Sequence, residues 1–282
     1  TVKIISDSTC DLSKDLLEKY DISILPLHIL LGETEYRDGV DITPEEIFRW
    51  SDENKTTPKT SAPSMTEAME VMKPFLDEGR EIICFSISDS MSTSGNVMRL
   101  AAEELEASDK VTVINSANLS TGIGLQVIQA ALLSAEGKTR AQITAAIEEI
   151  RPRVRASFTV DTLTYLYRGG RCNAVAALAG TMLKLHPRIV VEDGAMDASK
   201  KYRGKLSSVI LSYTKDMEDD LKNAVPDRVF ITHSGCDREI VESVRSYLES
   251  LGIFNEILET RAGGVISSHC GPGTLGVLFI EK

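Results

Sequence analysis

Ser267-Ser268-His269-Cys270-Gly271-Pro272-Gly273 gathers two hydroxyls, an imidazole and two glycines into one short stretch, with apolar sequence on either side. An imidazole among hydrogen-bonding neighbours, beside backbone able to turn sharply, suits recognition of a small polar group. Other segments are similarly polar. In Thr60-Ser61-Ala62-Pro63-Ser64, Ser64 and Glu67 make a capping box for the helix that follows. That leaves the hydroxyls of Thr60 and Ser61 to donate to a carboxylate or phosphate oxygen. Ser88-Asp89-Ser90-Met91-Ser92-Thr93-Ser94-Gly95 holds more hydroxyls than a cap requires. It is too poor in glycine for a phosphate cradle, and no GxxxxGK[ST] occurs in the chain. Arg168-Gly169-Gly170-Arg171 places arginines around a helix-ending glycine pair. These either complement the helix dipole or, through the donor fork of Arg171, bind an anion. His233-Ser234-Gly235-Cys236 reads as a second polar rim after a strand.

Several familiar chemistries find no support. Gly271-Pro272-Gly273-Thr274-Leu275-Gly276 matches GxGxxG, but it leads into a strand pattern where a dinucleotide fingerprint opens a helix. The histidines at 28, 186, 233 and 269 have no metal-ligand spacing. A serine with His269 imitates a hydrolase, yet no GxSxG elbow exists and no carboxylate can be assigned to orient the imidazole. The sequence therefore offers a binding cluster, with no catalytic residue, metal or cofactor assigned.

The elements that must position this cluster alternate. Strand patterns at 2–5, 22–31, 81–87 and 111–114 are interleaved with a helical stretch that puts Leu16, Leu17 and Tyr20 on one face and with helices at 65–78, 96–107, 119–136 and 140–151. Such alternation predicts a mainly parallel sheet flanked by helices. Ligands bind past the carboxyl ends of these strands, where the turns 6–9, 88–90 and 115–116 are rich in hydroxyls; plain helix capping explains each of them alone. After Arg151-Pro152-Arg153 a second α/β unit begins. It has strands at 157–160, 189–191, 228–232, 253–259 and 275–281, helices at 161–168, 173–185, 205–224 and 237–251, and a hairpin turn at Asp193-Gly194. The predicted domains are 1–153 and 154–282, the second with a mixed sheet.

The 282 residues suffice for either one or two cores. A hydrophobic fraction of 42% and a charged fraction of 26% fit a soluble globular protein. The net charge of −11 argues against a nucleic-acid groove or an anionic membrane as partner. Five cysteines without CxxC spacing favour reduced thiols and a cytoplasmic location. The small-apolar run 174–185 is too short and interrupted to span a bilayer, so no integral membrane segment is expected.

In this order, the separated pieces resemble the DegV family of bacterial fatty-acid-binding proteins. The resemblance runs from Ser6-Asp7-Ser8-Thr9 through 60–64, 88–94, Val160-Asp161-Thr162-Leu163, Gly169-Gly170-Arg171, Leu183-Lys184-Leu185-His186-Pro187 and Asp193-Gly194 to Ser268-His269-Cys270-Gly271-Pro272-Gly273. It implies a two-domain DegV-like fold enclosing a long-chain fatty acid such as palmitate. The carboxyl group would be held at Thr60 and Ser92, with Ser61, Ser88, Arg171 and His269 around it. It also implies presentation of the ligand to a fatty-acid kinase, for acyl-phosphate formation and phospholipid synthesis. The chain departs from the family pattern at Ala62, where glutamine is common, and at Asp89, Thr93 and Asn115. A Ser/His-dependent acyl hydrolase or transferase is the alternative reading.

Overall fold

The computed structural model describes residues 1–175 and 185–282. Strands β1 (Lys3–Asp7), β2 (Ile22–Leu25), β3 (His28–Leu31), β4 (Thr34–Arg37), β5 (Lys59–Ser61), β6 (Ile82–Ser86) and β7 (Val111–Asn115) precede residue 154. With them come helices α1 (Lys14–Lys19), α2 (Pro44–Asn54), α3 (Met65–Asp77), α4 (Ser94–Glu104), α5 (Thr121–Ala135) and α6 (Arg140–Ile150). Four of these strands form a wholly parallel sheet in the order β2-β1-β6-β7. Every residue of β1 and β6 is buried, as expected of central strands covered on both faces.

The apolar run 22–31, expected as one strand, is two. Pro26 has no N–H to give to a ladder, so the chain breaks after Leu25 and changes sheets. β2 joins the parallel sheet, while β3 pairs antiparallel with both β4 and β5. Thr60 stands opposite Ile29 in that small sheet.

Beyond residue 153 lie β8 (Val154–Arg155), β9 (Ser157–Thr159), β10 (Leu185–Glu192), β11 (Ala195–Arg203), β12 (Val229–His233), β13 (Ile257–Arg261) and β14 (Leu275–Ile280). The helices there are α7 (Thr164–Gly169), α8 (Leu206–Asp216), α9 (Glu218–Lys222), α10 (Arg238–Leu251) and α11 (Gly264–Cys270). The sheet order is β11-β10-β9-β14-β12-β13, with β8 also on β14. β12 and β13 run parallel and the other pairs antiparallel, so the sheet is mixed.

Asp193 and Gly194, with φ of 51° and 81°, form the tip of the β10–β11 hairpin, in the left-handed conformation that favoured two-residue hairpin turns need. The helix expected over 205–224 is broken at Met217, whose backbone leaves helical geometry while its side chain is buried. The acidic run Glu218-Asp219-Asp220 then starts α9, where the helix dipole favours negative charge. The helix expected over 173–185 falls mostly on 176–184, outside the described residues, and Leu185 opens β10.

Helix α5 lies between the parallel and the mixed sheets. Thr121 through Ile128 is buried at every position, the mark of a helix surrounded by protein. Its buried Gln126 donates to the carbonyls of Ser116 and Gly122 at 3.0 and 3.1 Å, while its Oε1 has no partner among the described residues. Around α5 one apolar core runs from Ile4 and Phe85, through Ile123 and Ile128, to Phe158 and Leu278.

Candidate functional site

A cavity of about 490 Å³ opens beside β5, the 87–93 loop and α11. Leu27, Ile87, Leu119, Phe158, Leu166 and Leu278 contribute to its apolar walls, and Met91 and Met196 add flexible thioethers. Thr60, Ser61, Ser92, Arg171 and His269 all line it. They come from four separate segments and meet only through the fold.

His269 is delivered by α11, a helix that its own sequence favours poorly because it opens on Gly263-Gly264. Two buried carboxylates hold that end. Asp11 Oδ1 accepts the Gly263 N–H at 3.0 Å, and Asp38 Oδ1 accepts the Gly264 N–H at 2.9 Å. A Cβ on Gly264 would stand 2.5 Å from Ile29 Cδ1 and 2.9 Å from Asp38 Oδ1, so any larger residue would have to push these side chains aside. Burial raises the pKa of Asp11 well above the carboxylate range and brings that of Asp38 to about 6. Ser267 and Ser268 turn their hydroxyls back to the carbonyls of Ala262 and Gly264. Of the three polar side chains at 267–269, only His269 reaches the cavity.

The imidazole Nε2 lies 2.7 Å from Thr60 Oγ1. Burial, aided by the positive charge of Arg171, pushes the His269 pKa down to about 4, so the ring is neutral at neutral pH. Arg171 is strapped across two backbone carbonyls, with Nη1 donating to Gly169 at 2.8 Å and Nε to Met91 at 3.4 Å. Ser92 Oγ accepts the Ser94 N–H at 3.1 Å, which leaves its own O–H to donate. Ser61 stands exposed on the rim.

Ser88 does something else. It is buried outside the cavity lining, and its hydroxyl donates to the Gly194 carbonyl at 2.6 Å. It thereby ties the serine-rich loop to the β10–β11 hairpin. The 6–9 turn also lies outside the lining and braces that loop from behind: Asp7 Oδ2 accepts from the Ile87 N–H at 2.8 Å and the Ser94 hydroxyl at 2.9 Å. Asn115 works similarly, its Oδ1 accepting the N–H groups of Asp89 and Ala117. Asp89 lines the cavity and carries an ion pair to Arg99 at 3.4 Å.

These lengths of chain recur together in known proteins. A family model described as "Uncharacterised protein, DegV family" matches residues 1–282. The chain belongs to the DegV family. A DegV domain-containing protein of Clostridium perfringens is 32% identical over 281 residues, covering 100% of this chain and 99% of the relative. Among solved structures, a fatty-acid-binding DegV family protein from Thermus thermophilus superposes with a TM-score of 0.91 at 31% identity, over 100% of this chain and 99% of the other. A stearic-acid-binding protein from Eubacterium ventriosum gives 0.86 at 32%, with the same coverages.

The buried hydroxyls around this DegV cavity are already engaged, while those of Ser90 and Thr93 are exposed. Ser120 donates to Asp11 Oδ2 at 2.7 Å, and Ser157 pairs with the Tyr213 hydroxyl at 2.7 Å. Thr232 bonds Thr121 and Thr260, Ser234 donates to the Gly271 carbonyl, and Thr274 to that of Cys270. The 233–236 rim is spent in the same way. His233 Nδ1 accepts two backbone N–H groups while Nε2 meets Glu259 at 3.2 Å, and Arg238 helps hold Glu259 down at about 2. Sequence inspection did not single out Ser120 or Thr232, whose partners lie about a hundred residues away. Nor did it find α11, because two glycines at its start hide the helix. Among the described residues no cluster suits a metal ion, and no helix is long and apolar enough to cross a membrane.

Proposed function

We propose that this chain binds a long-chain fatty acid in the cavity, its tail along the apolar walls and its carboxyl group at Thr60 and Ser92. Ser61, Arg171 and His269 complete the polar end. The observation that carries this reading is the contrast within one lining: the half-buried Ser92 O–H makes no donor contact among the described residues, while the buried hydroxyls of Ser120, Ser157, Ser234 and Thr274 are occupied. Each buried methylene contributes about 0.8 kcal/mol, so an apolar tunnel supplies affinity by itself. The head group needs donors, because an unpaired carboxylate in such surroundings is costly. The fatty acids bound by the Thermus and Eubacterium relatives support the same ligand class.

Mass spectrometry of the protein, first native and then denatured, tests this directly. One fatty acid per chain is expected; an empty protein that takes up no added palmitate would sink the reading. The double variant Thr60→Ala with Ser92→Ala is expected to lose about tenfold or more in palmitate affinity while remaining folded, since hydrogen bonds to a charged group are worth roughly 1.5–3 kcal/mol each.

In this reading the protein is a carrier with no catalytic residue. It presents the carboxylate to a separate kinase, which transfers a phosphoryl group from ATP to a carboxylate oxygen and releases ADP. The resulting acyl phosphate would feed phospholipid synthesis. Retention of the phosphoryl label in acyl phosphate, only when carrier and kinase are both present, tests that step. The five cysteines, all free thiols, support a cytoplasmic setting.

A further inference from the structure

Helices α7 and α11 pack closely because glycines remove the side chains between them. A Cβ built on Gly169 would stand 2.6 Å from His269 Nδ1. Gly169 is not glycine for conformational reasons; the left-handed residue of that turn is Gly170, with φ of 68°. What Gly169 supplies is room, and the room is filled by one edge of the imidazole. Nδ1 is buried there without a hydrogen-bond partner among the described residues.

That environment discriminates between the two neutral forms of the ring. A hydrogen on Nδ1 would be a buried donor with nothing among the described residues to accept it, a type of defect that folded proteins rarely contain. A bare lone pair at Nδ1 is the cheaper arrangement. The proton then sits on Nε2 and is donated to Thr60 Oγ1 at 2.7 Å. With its oxygen so occupied, Thr60 has its own O–H left to donate. In the opposite tautomer, Thr60 would donate to Nε2 and present only lone pairs to the cavity, which repel an anionic oxygen.

We propose that Gly169 is a positioning residue: its bare backbone against Nδ1 fixes the His269 proton on Nε2, and this turns the Thr60 hydroxyl into a donor toward an anionic ligand group. The same residue steadies Arg171, whose Nη1 donates to the Gly169 carbonyl at 2.8 Å. One position thus sets the polarity of Thr60 and the placement of Arg171. The ligand part rests on the carboxylate reading above; the tautomer does not.

The test is nitrogen-15 NMR of histidine-labelled wild-type protein without ligand at neutral pH, followed by Gly169→Ala. The wild type is expected to show His269 neutral with hydrogen on Nε2. An Nδ1-protonated or charged ring overturns the inference, even if the variant fails to fold. In Gly169→Ala the His269 resonances are expected to move and palmitate affinity to fall by about tenfold, the scale of one charge-assisted hydrogen bond. A folded variant that keeps both the wild-type ring signals and the affinity also overturns it. A wild type with the expected tautomer that takes up no palmitate would instead remove the fatty-acid reading and leave the tautomer assignment standing.

Discussion

The buried acids behind α11 and the imidazole on it respond to pH in opposite directions. Asp38 has its pKa raised from 3.8 to about 6 by burial. Its contribution to stability is therefore complete below pH 3.8 and is lost as pH rises through 6. His269 is lowered from 6.5 to about 4, so its contribution is complete above 6.5 and is lost as pH falls through 4. Between about pH 4 and 6 the two offset each other. Removing one should expose the other. Asp38→Asn keeps an oxygen for the Gly264 N–H, and its stability relative to wild type is expected to grow from pH 4 to 6 and then level off. Urea unfolding at pH 4, 5, 6 and 7 measures this; a difference that stays flat across the series would refute it. Asp7 and Asp11 are raised in the same direction as Asp38 and remain in both proteins.

At the scale of elements, Ser88 shows how a hydroxyl can join two of them. Ser88→Ala leaves the Gly194 carbonyl without its donor, and is expected to cost about 1 kcal/mol. Amide hydrogen exchange should quicken at the hairpin tip around 193–196 while the centre of β10 keeps its protection. Uniform exchange throughout the sheet would count against a local tie. Why the sequence read Ser88 as a ligand donor is plain: residue type marks it as a donor, but its acceptor lies 106 residues away. The same limit explains the missed elements. β4 is largely exposed and carries no apolar alternation, and α11 is held at its start by Asp11 and Asp38 rather than by helix propensity. Elements whose signals are local were legible. The capping box at Ser64 and Glu67 starts α3, and Asp193-Gly194 turns the hairpin. The buried runs of β1 and β6 appear as near-continuous apolar sequence.

Across the whole molecule, α5 is the part common to both large sheets. Its Ile123 is fully buried within the core that reaches from Ile4 to Leu278. Ile123→Ala is expected to cost roughly 2–5 kcal/mol through lost burial and the cavity left behind. Because that core is shared, near-UV and far-UV circular dichroism should report one coincident unfolding transition in both the wild type and the variant. Two separated transitions would mean that the sheets unfold independently. The α/β alternation, with a mainly parallel sheet first and a mixed one after it, could be read from pattern. The shared helix could not, since an apolar helix reads the same whether one sheet covers it or two.

The contact between Thr60 and His269 spans 209 residues. At synthesis rates of about 5–20 residues per second, some 10–40 s separate the emergence of the two side chains from the ribosome. Throughout that interval the chain has one half of the pair and not the other, so the proposed head-group site is not yet assembled. On the proposed carrier reading, loading of cargo is therefore confined to finished molecules. A fatty acid added during refolding should leave the early rate unchanged and slow only the unfolding of the completed protein.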